Sequence, residues 1–230
     1  MNIAVIPARG GSKRILKKNI RKFCGKEIIG YSIETALATN LFDSVIVTTD
    51  DREIAKVALS FGAEVPFMRP SELSDDITGT TPVIRHALQW CLDDGRDIKA
   101  VCGLYATAPF TTREDLTKGY EALRHAPASF SITTFPFPIY RGLKQDDNSR
   151  VSLIWPEHLM TRSQDLPEAY HDCGQFYWAT RDFLLSGKEF MGGEATGVTL
   201  PRHRVQDIDT EEDWIRAEAM FRTLKETGEL

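Results

Sequence analysis

Short apolar runs alternate with helix-like stretches through the first 136 residues, and this alternation restricts the fold more than any other feature. The runs are NIAVIP, DSVIVTT, AEVPFM, AVCGLYA and SFSITTF, and each is rich in residues that favour strands. Strands that alternate with helices form right-handed βαβ units, which place neighbouring strands parallel. The sequence therefore predicts an α/β fold with a mostly parallel sheet.

Signals for helix ends lie between these runs. Gly62 follows the stretch DREIAKVALSF and is a typical helix stop. Thr80 or Thr81 can cap a helix that has proline in its first turn. Thr111 and Glu114 have the spacing of a capping box. These signals place helices where the alternating pattern requires them.

The pattern breaks at residues 137–170, which contain one plausible strand, RVSLIW, and no clear amphipathic helix. Long segments of this kind in compact domains are usually functional. We therefore predict a single domain over residues 1–230 with an inserted arm at 137–170 that holds two copies together. The α/β pattern resumes with GQFYWAT, RDFLLSG and GVTLP and ends with a helix in TEEDWIRAEAMFRTLKETG. One face of that last helix is predicted to pack in the core: Trp214, Ala217, Phe221 and Leu224.

Composition excludes several classes of protein. The 230 residues are 42% hydrophobic and carry a net charge of −5, which does not suggest general binding to nucleic acid. No apolar run approaches the ~20 residues of a membrane span, and the opening MNIAVIPARGG does not resemble a signal peptide. The four cysteines are scattered without a CxxC pair. A soluble cytoplasmic protein is expected.

The first 26 residues contain no acidic side chain and many basic ones. The cations are Arg9, Lys13, Arg14, Lys17, Lys18, Arg21, Lys22 and Lys26. Within this segment, IPARGGSKR follows the first predicted strand, and free backbone N–H groups at Gly10 and Gly11 together with cations suit a phosphate. An ordinary turn with solvated charges is the alternative, although such a surface normally mixes both signs.

Two familiar phosphate loops do not fit this segment. The dinucleotide fingerprint GxGxxG and the P-loop GxxxxGK[ST] are both missing from ARGGSKRILKKN. Asp50 could imitate the ribose-binding acid of a dinucleotide fold, but the glycine fingerprint that should accompany it is absent. A wide cationic loop suited to a triphosphate is the remaining interpretation.

The stretch DIDTEED carries Asp207 and Asp209 two positions apart. In an extended segment both side chains lie on one face, where they repel each other unless a cation lies between them. Mg²⁺ commonly binds one or two carboxylates together with substrate phosphate. Alternatively, Asp209 only caps the last helix with Glu212, although Thr210 is also available as the cap.

Several motifs are similar to those of one enzyme family. IPARGGSKRILKKNI, VTTDD, RPSELSDD, RSQDLPEAYHDCGQFYW and DIDTEEDW resemble, in order, the signatures of the CMP-sugar-acid synthetases, the cytidylyltransferases for nonulosonic acids. YHDCGQFYW is most similar to members that act on pseudaminic acid. Sialic acid enzymes usually carry Asn-Gly where this chain has Cys173 and Gly174. The resemblance implies a Rossmann-like nucleotidyltransferase fold, CTP and Mg²⁺ as co-reactants, and a homodimer.

The resemblance also implies roles for residues. Arg9, Lys13 and Lys18 would contact the triphosphate, with Lys18 on the α-phosphate and Arg9 and Lys18 acting in catalysis. The full predicted nucleotide site is Arg9, Gly10, Gly11, Ser12, Lys13, Lys18, Asn19, Arg69 and Asp76. The predicted metal ligands are Asp207 and Asp209.

The sugar site is expected in the arm and in the strand after it, together with Tyr105 from an earlier strand end. Its candidates are Tyr105, Arg141, Arg162, Gln164, His171, Asp172, Gln175 and Tyr177. Either arginine suits the sugar carboxylate, because a guanidinium binds carboxylates through two hydrogen bonds. Gln175 and Tyr177 should share one face of their strand. Tyr105, where sialic acid enzymes usually have Gln, could face the sugar or pack in the core.

The predicted reaction is attack of the sugar's anomeric hydroxyl on the α-phosphorus of CTP, with loss of pyrophosphate. A sialic acid synthetase is the alternative within the family. More remote alternatives are a sugar-1-phosphate nucleotidyltransferase, which usually has a GGxGTRL-type loop, and a non-catalytic nucleotide-binding module. Pyrophosphate release from CTP, Mg²⁺ and a nine-carbon sugar acid would separate these hypotheses, because the binding module would release none and the sugar-1-phosphate enzyme would ignore the acid.

Overall fold

The computed structural model describes residues 1–75 and 77–230. The strands in these ranges are β1 (Asn2–Pro7), β2 (Lys22–Phe23), β3 (Lys26–Glu27), β4 (Ser44–Thr48), β5 (Ala100–Leu104), β6 (Ala128–Thr134), β7 (Leu143–Gln145), β8 (Val151–Leu153), β9 (Tyr170–Thr180) and β10 (Ala195–Thr199). The α-helices in the same ranges are α1 (Ile28–Ala38), α2 (Arg52–Ser60), α3 (Thr80–Asp93), α4 (Arg113–Ala122), α5 (Arg181–Leu185) and α6 (Glu211–Glu226).

The main sheet has the strand order β10-β6-β9-β5-β1-β4. β1 pairs in parallel with β4 and β5, and β10 pairs in parallel with β6. β9 is antiparallel to both of its neighbours. The predicted α/β fold with a mostly parallel sheet is therefore confirmed. β9 is the exception because it follows the arm rather than a crossover helix, so the chain re-enters the sheet at the same end where β6 finishes and runs back antiparallel to it.

Side chains of the sheet alternate between two cores. On β1, Ala4 and Ile6 pack with α1, α2 and α4, whereas Ile3 and Val5 pack on the opposite face with α3 and α5. This period of two is the geometry of a strand buried on both faces. A third cluster packs α6 against the basic segment, and its members include Ile15, Phe23, Ile208, Trp214, Ala217, Phe221 and Leu224. The predicted core face of the last helix is thus confirmed.

Two local predictions need correction. AEVPFM is not a strand and forms only isolated bridges, at Glu64 and Met68, because Pro66 cannot donate to a ladder. The capping box of α4 uses Thr112 and Asp115, one position later than expected. Gly62 ends α2 as predicted, with a φ of +89° that favours glycine.

The arm connects two neighbouring strands of the main sheet. It leaves after β6 and returns at β9, where Thr134 pairs with Tyr170. β7 and β8 form an antiparallel hairpin inside it, and β8 is the predicted strand in RVSLIW. Tyr140 packs edge-on against Trp155, with ring centroids 5.4 Å apart. The arm is therefore an ordered excursion with a small cluster of its own.

Every helix within the described ranges is too short or too polar to cross a membrane.

Candidate active site

A cleft of about 280 Å³ opens at the carboxyl ends of β1 and β5. β4 and β5 lie on opposite sides of β1, so the crossovers diverge there, which is where open α/β sheets bind ligands. Eight of the predicted site residues line this cleft: Arg9, Ser12, Lys13, Lys18, Asn19, Arg69, Tyr105 and Asp209. The structure thus gathers the basic loop, the RPSEL motif and the DIDTEED motif around one opening.

The basic loop is held in place by short polar contacts. Asn19 is buried, and its Nδ2 donates to the carbonyl oxygen of Arg9 at 2.9 Å. The backbone N–H of Gly10 donates to Asp50 Oδ1 at 2.9 Å. A Cβ on Gly10 would lie 2.8 Å from Asp51 Oδ2, so glycine is required for this approach. Gly11 has no such constraint, since no atom of residues 1–75 or 77–230 lies within 4 Å of the position of its missing Cβ.

Two cations meet at Asp209. Lys18 Nζ lies 3.2 Å from Asp209 Oδ1 and donates to the carbonyl oxygen of Ile208 at 2.8 Å. Arg14 Nη2 lies 2.8 Å from Asp209 Oδ2. Sequence reasoning left Arg14 unassigned because its partner lies at the other end of the chain. The cleft edge therefore combines a carboxylate with two partly exposed cations.

Asp209 does not cap the last helix. Thr210 accepts from the N–H of Asp213, and the Asp213 carboxylate accepts in return, so these two residues form the capping box. The alternative in which Asp209 and Glu212 form the cap is therefore wrong. The carboxylate of Asp209 is left to interact with cations.

The neighbouring carboxylates fit a divalent cation. Burial raises the pKa of Asp207, and the negative charge of Asp209 raises it further. Carboxylate oxygens are ligands that Mg²⁺ prefers, and one or two of them are usual beside substrate phosphates. The described residues form no larger cluster of His, Cys, Asp and Glu that could hold a metal. Of the two carboxylates, only Asp209 lines the cleft.

Arg69 is a buried cation that faces the cleft. Its side chain is 3% exposed, and its Nε and Nη2 have no hydrogen-bond partner among the described residues. Burial lowers its pKa, while Asp50, whose Oδ1 lies 3.7 Å from Nη2, acts in the opposite direction. Unpaired buried donors are costly, which suits a ligand that brings acceptors. Asp76, predicted beside it, lies outside the described residues.

A second cavity of about 340 Å³ adjoins the cleft and shares Thr80 and Tyr105 with it. Asp172 and Tyr177, both predicted sugar contacts, line it. The hydroxyl of Tyr177 donates to Asp172 Oδ2, and burial raises the pKa of that phenol. Tyr105 lies between the two cavities, with its hydroxyl 3.2 Å from Thr80 Oγ1. Sequence reasoning missed the rest of the lining, which is Thr80, Thr81, Ile84, Glu189, Phe190 and Met191.

Gln175 and Tyr177 do not share a face, contrary to expectation. Thr111 Oγ1 donates to Gln175 Oε1 at 2.8 Å, and Gln175 Nε2 donates to the carbonyl oxygen of Arg204 at 3.0 Å. Tyr177 instead packs with the core on the α3 side. The alternation fails because the pairing of β6 with β9 shifts register here and Gly174 has a φ of +59°. Only glycine adopts this conformation readily.

Other predicted sugar residues lie away from both cavities. Arg141 donates to the carbonyl oxygens of Leu159 and Thr161 inside the arm. Arg162 Nε pairs with Asp165 at 2.9 Å. Neither cavity, as lined by the described residues, includes the following: Arg141, Arg162, Gln164, His171 and Gln175.

Comparisons with known proteins agree with this geometry. A family profile described as cytidylyltransferase matches residues 3–217. A pseudaminic acid cytidylyltransferase of Campylobacter jejuni serotype O:2 is 40% identical over 229 residues, which cover 99% of each chain. An N-acylneuraminate cytidylyltransferase of Escherichia coli O18:K1:H7 is 32% identical over 217 residues, 92% of this chain and 50% of that one.

A solved structure shares the fold. It is a CMP:2-keto-3-deoxy-manno-octonic acid synthetase complexed with CTP, which aligns with a TM-score of 0.68 at 18% identity over 96% of this chain and 98% of that one. The family profile and the full-length relative extend over nearly all of the sequence, including the cationic loop and the DIDTEED motif. The chain therefore belongs to the cytidylyltransferase family.

Proposed function

We propose that this nucleotidyltransferase transfers CMP from CTP to the anomeric hydroxyl of a nonulosonic acid, with pseudaminic acid as its substrate. The observation that carries the proposal is the pair of adjoining cavities, one cationic and one with both acceptors and apolar walls. The sugar oxygen attacks the α-phosphorus and forms a P–O bond. The bond between the α-phosphorus and the oxygen that bridges to the β-phosphorus breaks. The hydroxyl proton is released, and pyrophosphate leaves.

The nucleotide occupies the cationic cleft in this proposal. Arg9 and Lys13 neutralise the triphosphate, and Lys18 reaches the α-phosphate. Such transfers depend on positioning and on charge neutralisation rather than on a covalent intermediate. Gly10, Gly11, Ser12 and Asn19 shape the loop that holds the phosphates, and Arg69 offers its unpaired N–H groups to acceptors of the base or ribose.

Asp207 and Asp209 would hold Mg²⁺. When bound, the ion neutralises negative charge that builds up on the phosphates. If Asp209 bound the ion, it would give up its contacts with Arg14 and Lys18, and both cations would become available to the nucleotide, while the carbonyl oxygen of Ile208 would still hold Lys18 Nζ.

Asp209→Asn is expected to raise the Mg²⁺ concentration for half-maximal activity by about tenfold or more, since a loss of about 1.4 kcal/mol in binding is tenfold. The amide keeps the size of the side chain, and the helix cap is unaffected because Thr210 provides it. Glu212→Gln is the matched control, because Glu212 is an exposed carboxylate that pairs with Arg216 on the same helix. Superimposable Mg²⁺ titrations of Asp209→Asn and the wild type would rule out the ligand role.

The sugar occupies the second cavity. Asp172 and Glu189 accept hydrogen bonds from N–H and O–H groups, and Ile84, Phe190 and Met191 provide apolar surface for acyl methyl groups. Its described lining contains no Lys or Arg, so the carboxylate of the sugar must bind elsewhere. Arg141 and Arg162 of the arm are the candidates, and the arm of a second copy can supply one of them.

We further propose that the arm holds a homodimer. Large apolar side chains are exposed on it, among them Phe137 at 79%, Leu159 at 64% and Met160 at 89%. Tyr140 and Trp155 of the arm are half-buried because they pack on each other, so they contribute less to this exposed surface. If two copies exchanged arms about a twofold axis, the exposed apolar side chains of both arms would be covered.

Sedimentation at micromolar concentration is expected to give the mass of two chains. Met160→Glu together with Leu159→Lys should shift the species toward the monomer, since charges would enter the interface. Lys144→Glu, an exposed change in the same arm, serves as the control. A wild-type chain that sediments only as a monomer contradicts the proposal.

Pyrophosphate release tests the function itself. CTP, Mg²⁺ and a panel of nine-carbon sugar acids are mixed with the enzyme. Release that depends on a sugar acid is the expected result. Release only with a sugar 1-phosphate would identify a different transferase, and no release at all would identify a binding module.

We propose a cytoplasmic location, because all four cysteines are free thiols, as in reducing compartments.

A further inference from the structure

We infer that Asp50 is a positioning residue for the nucleotide, whose single oxygen Oδ1 serves both the phosphate loop and the buried guanidinium of Arg69. The inference rests on the proposed use of CTP. Oδ1 accepts from the Gly10 N–H at 2.9 Å and lies 3.7 Å from Arg69 Nη2. Asp50 therefore joins two parts of the cleft that contact different parts of a nucleotide.

Asp50 is itself held by regular structure. It lies two residues after the end of β4, and the N–H of Arg69 donates to the carbonyl oxygen of the intervening Thr49 at 2.8 Å, which fixes the two segments side by side. On the other side, Asp51 caps α2 by accepting from the N–H groups of Glu53 and Ile54. An acceptor between a rigid strand end and a helix cap can hold a loop in one position.

A carboxylate beside a triphosphate site is otherwise unfavourable. Its negative charge repels the phosphates. If Asp50 only accepted one hydrogen bond, a neutral acceptor would be sufficient and this repulsion would bring no benefit. Arg69 supplies the reason for the charge. Its side chain is 3% exposed, and a buried cation needs a nearby anion to remain oriented and charged. Within the part of the chain that the structure describes, Asp50 is the anion that faces it.

Substitutions can separate the two roles. Asp50→Asn keeps an oxygen for the Gly10 N–H but removes the charge that faces Arg69. Asp50→Ala removes both. Asp51→Asn is the matched control, because it makes the same change of charge at the next residue and asparagine also caps helices well.

The experiment measures CTP affinity by calorimetry in the absence of a sugar. Asp50→Asn is expected to weaken CTP binding by about tenfold and Asp50→Ala by more, while Asp51→Asn stays within about twofold of the wild type. Circular dichroism confirms that each variant is folded. Equal affinities of Asp50→Asn and the wild type would overturn the inference.

A double-mutant cycle with Arg69→Met distinguishes positioning from general structural damage. Methionine keeps an apolar stem in the buried position without a charge. In this background Asp50→Asn should no longer weaken CTP binding, and it should strengthen it slightly because a repulsive charge is removed. The same tenfold loss in both backgrounds would refute the role of Asp50 through Arg69. A wild-type chain that binds CTP without transferring CMP would defeat the proposed function alone.

Discussion

Replacing Lys18 with methionine is expected to lower turnover by about 10²–10³, because removing a preorganised charge from a developing transition state typically has that effect. Lys18 lies at the cleft edge with a side chain that is only 21% exposed, and its Nζ is held by Ile208 and Asp209. The ammonium is thus placed before the nucleotide arrives. Methionine preserves the packing of the stem and removes only the charged head.

Steady-state kinetics with saturating CTP and sugar measure this effect, and CTP calorimetry separates it from binding. Lys22→Met is the matched control, since Lys22 is an exposed lysine of the same basic segment and does not line the cleft. Its turnover should match the wild type. Near-normal turnover of a folded Lys18→Met variant would remove Lys18 from the catalytic site.

Pseudaminic acid is expected to be converted in preference to N-acetylneuraminic acid by a factor of about 10⁴, because sites built on hydrogen bonds reject analogues that leave polar groups unpaired. Cys173, where sialic acid enzymes usually have Asn, packs in the core and is 4% exposed. That position therefore offers no amide to the sugar. The apolar walls formed by Ile84, Phe190 and Met191 would leave the hydroxyls of a glycerol tail without partners.

Direct competition measures the preference. Both sugars are supplied at equal concentration with CTP and Mg²⁺, and the CMP-sugars are separated and quantified. Met191→Gln should narrow the ratio, because an amide in that wall offers a partner to hydroxyls, whereas Met220→Gln on α6, remote from the cavity, should leave it unchanged. CMP-N-acetylneuraminate as the main product would overturn the choice of sugar and leave the cytidylyltransferase assignment intact.

Much of the fold follows from local patterns. The apolar residues of β1 alternate between two cores, so a short run such as NIAVIP already specifies a strand that is buried on both faces. The amphipathic pattern of α6 likewise specifies which face packs. Predictions failed where a local exception outweighs the pattern. Pro66 prevents a ladder in AEVPFM, and Gly174 reverses the alternation between Gln175 and Tyr177.

The candidate site also has some features that the sequence predicts and others that only the tertiary structure shows. The sequence by itself determined that the first segment is a cationic, glycine-containing loop and predicted that it binds phosphate, because the concentration of charge and the glycines are visible in nine residues. It also determined that two carboxylates stand two positions apart. Tertiary structure alone decided that Lys18 and Arg14 meet Asp209, since Lys18 and Asp209 are 191 positions apart and no local pattern links them. It alone freed Asp209 from the helix cap and placed Asp50 between Gly10 and Arg69, because such contacts depend on how α6 and the ends of β1 and β4 are arranged in the folded chain.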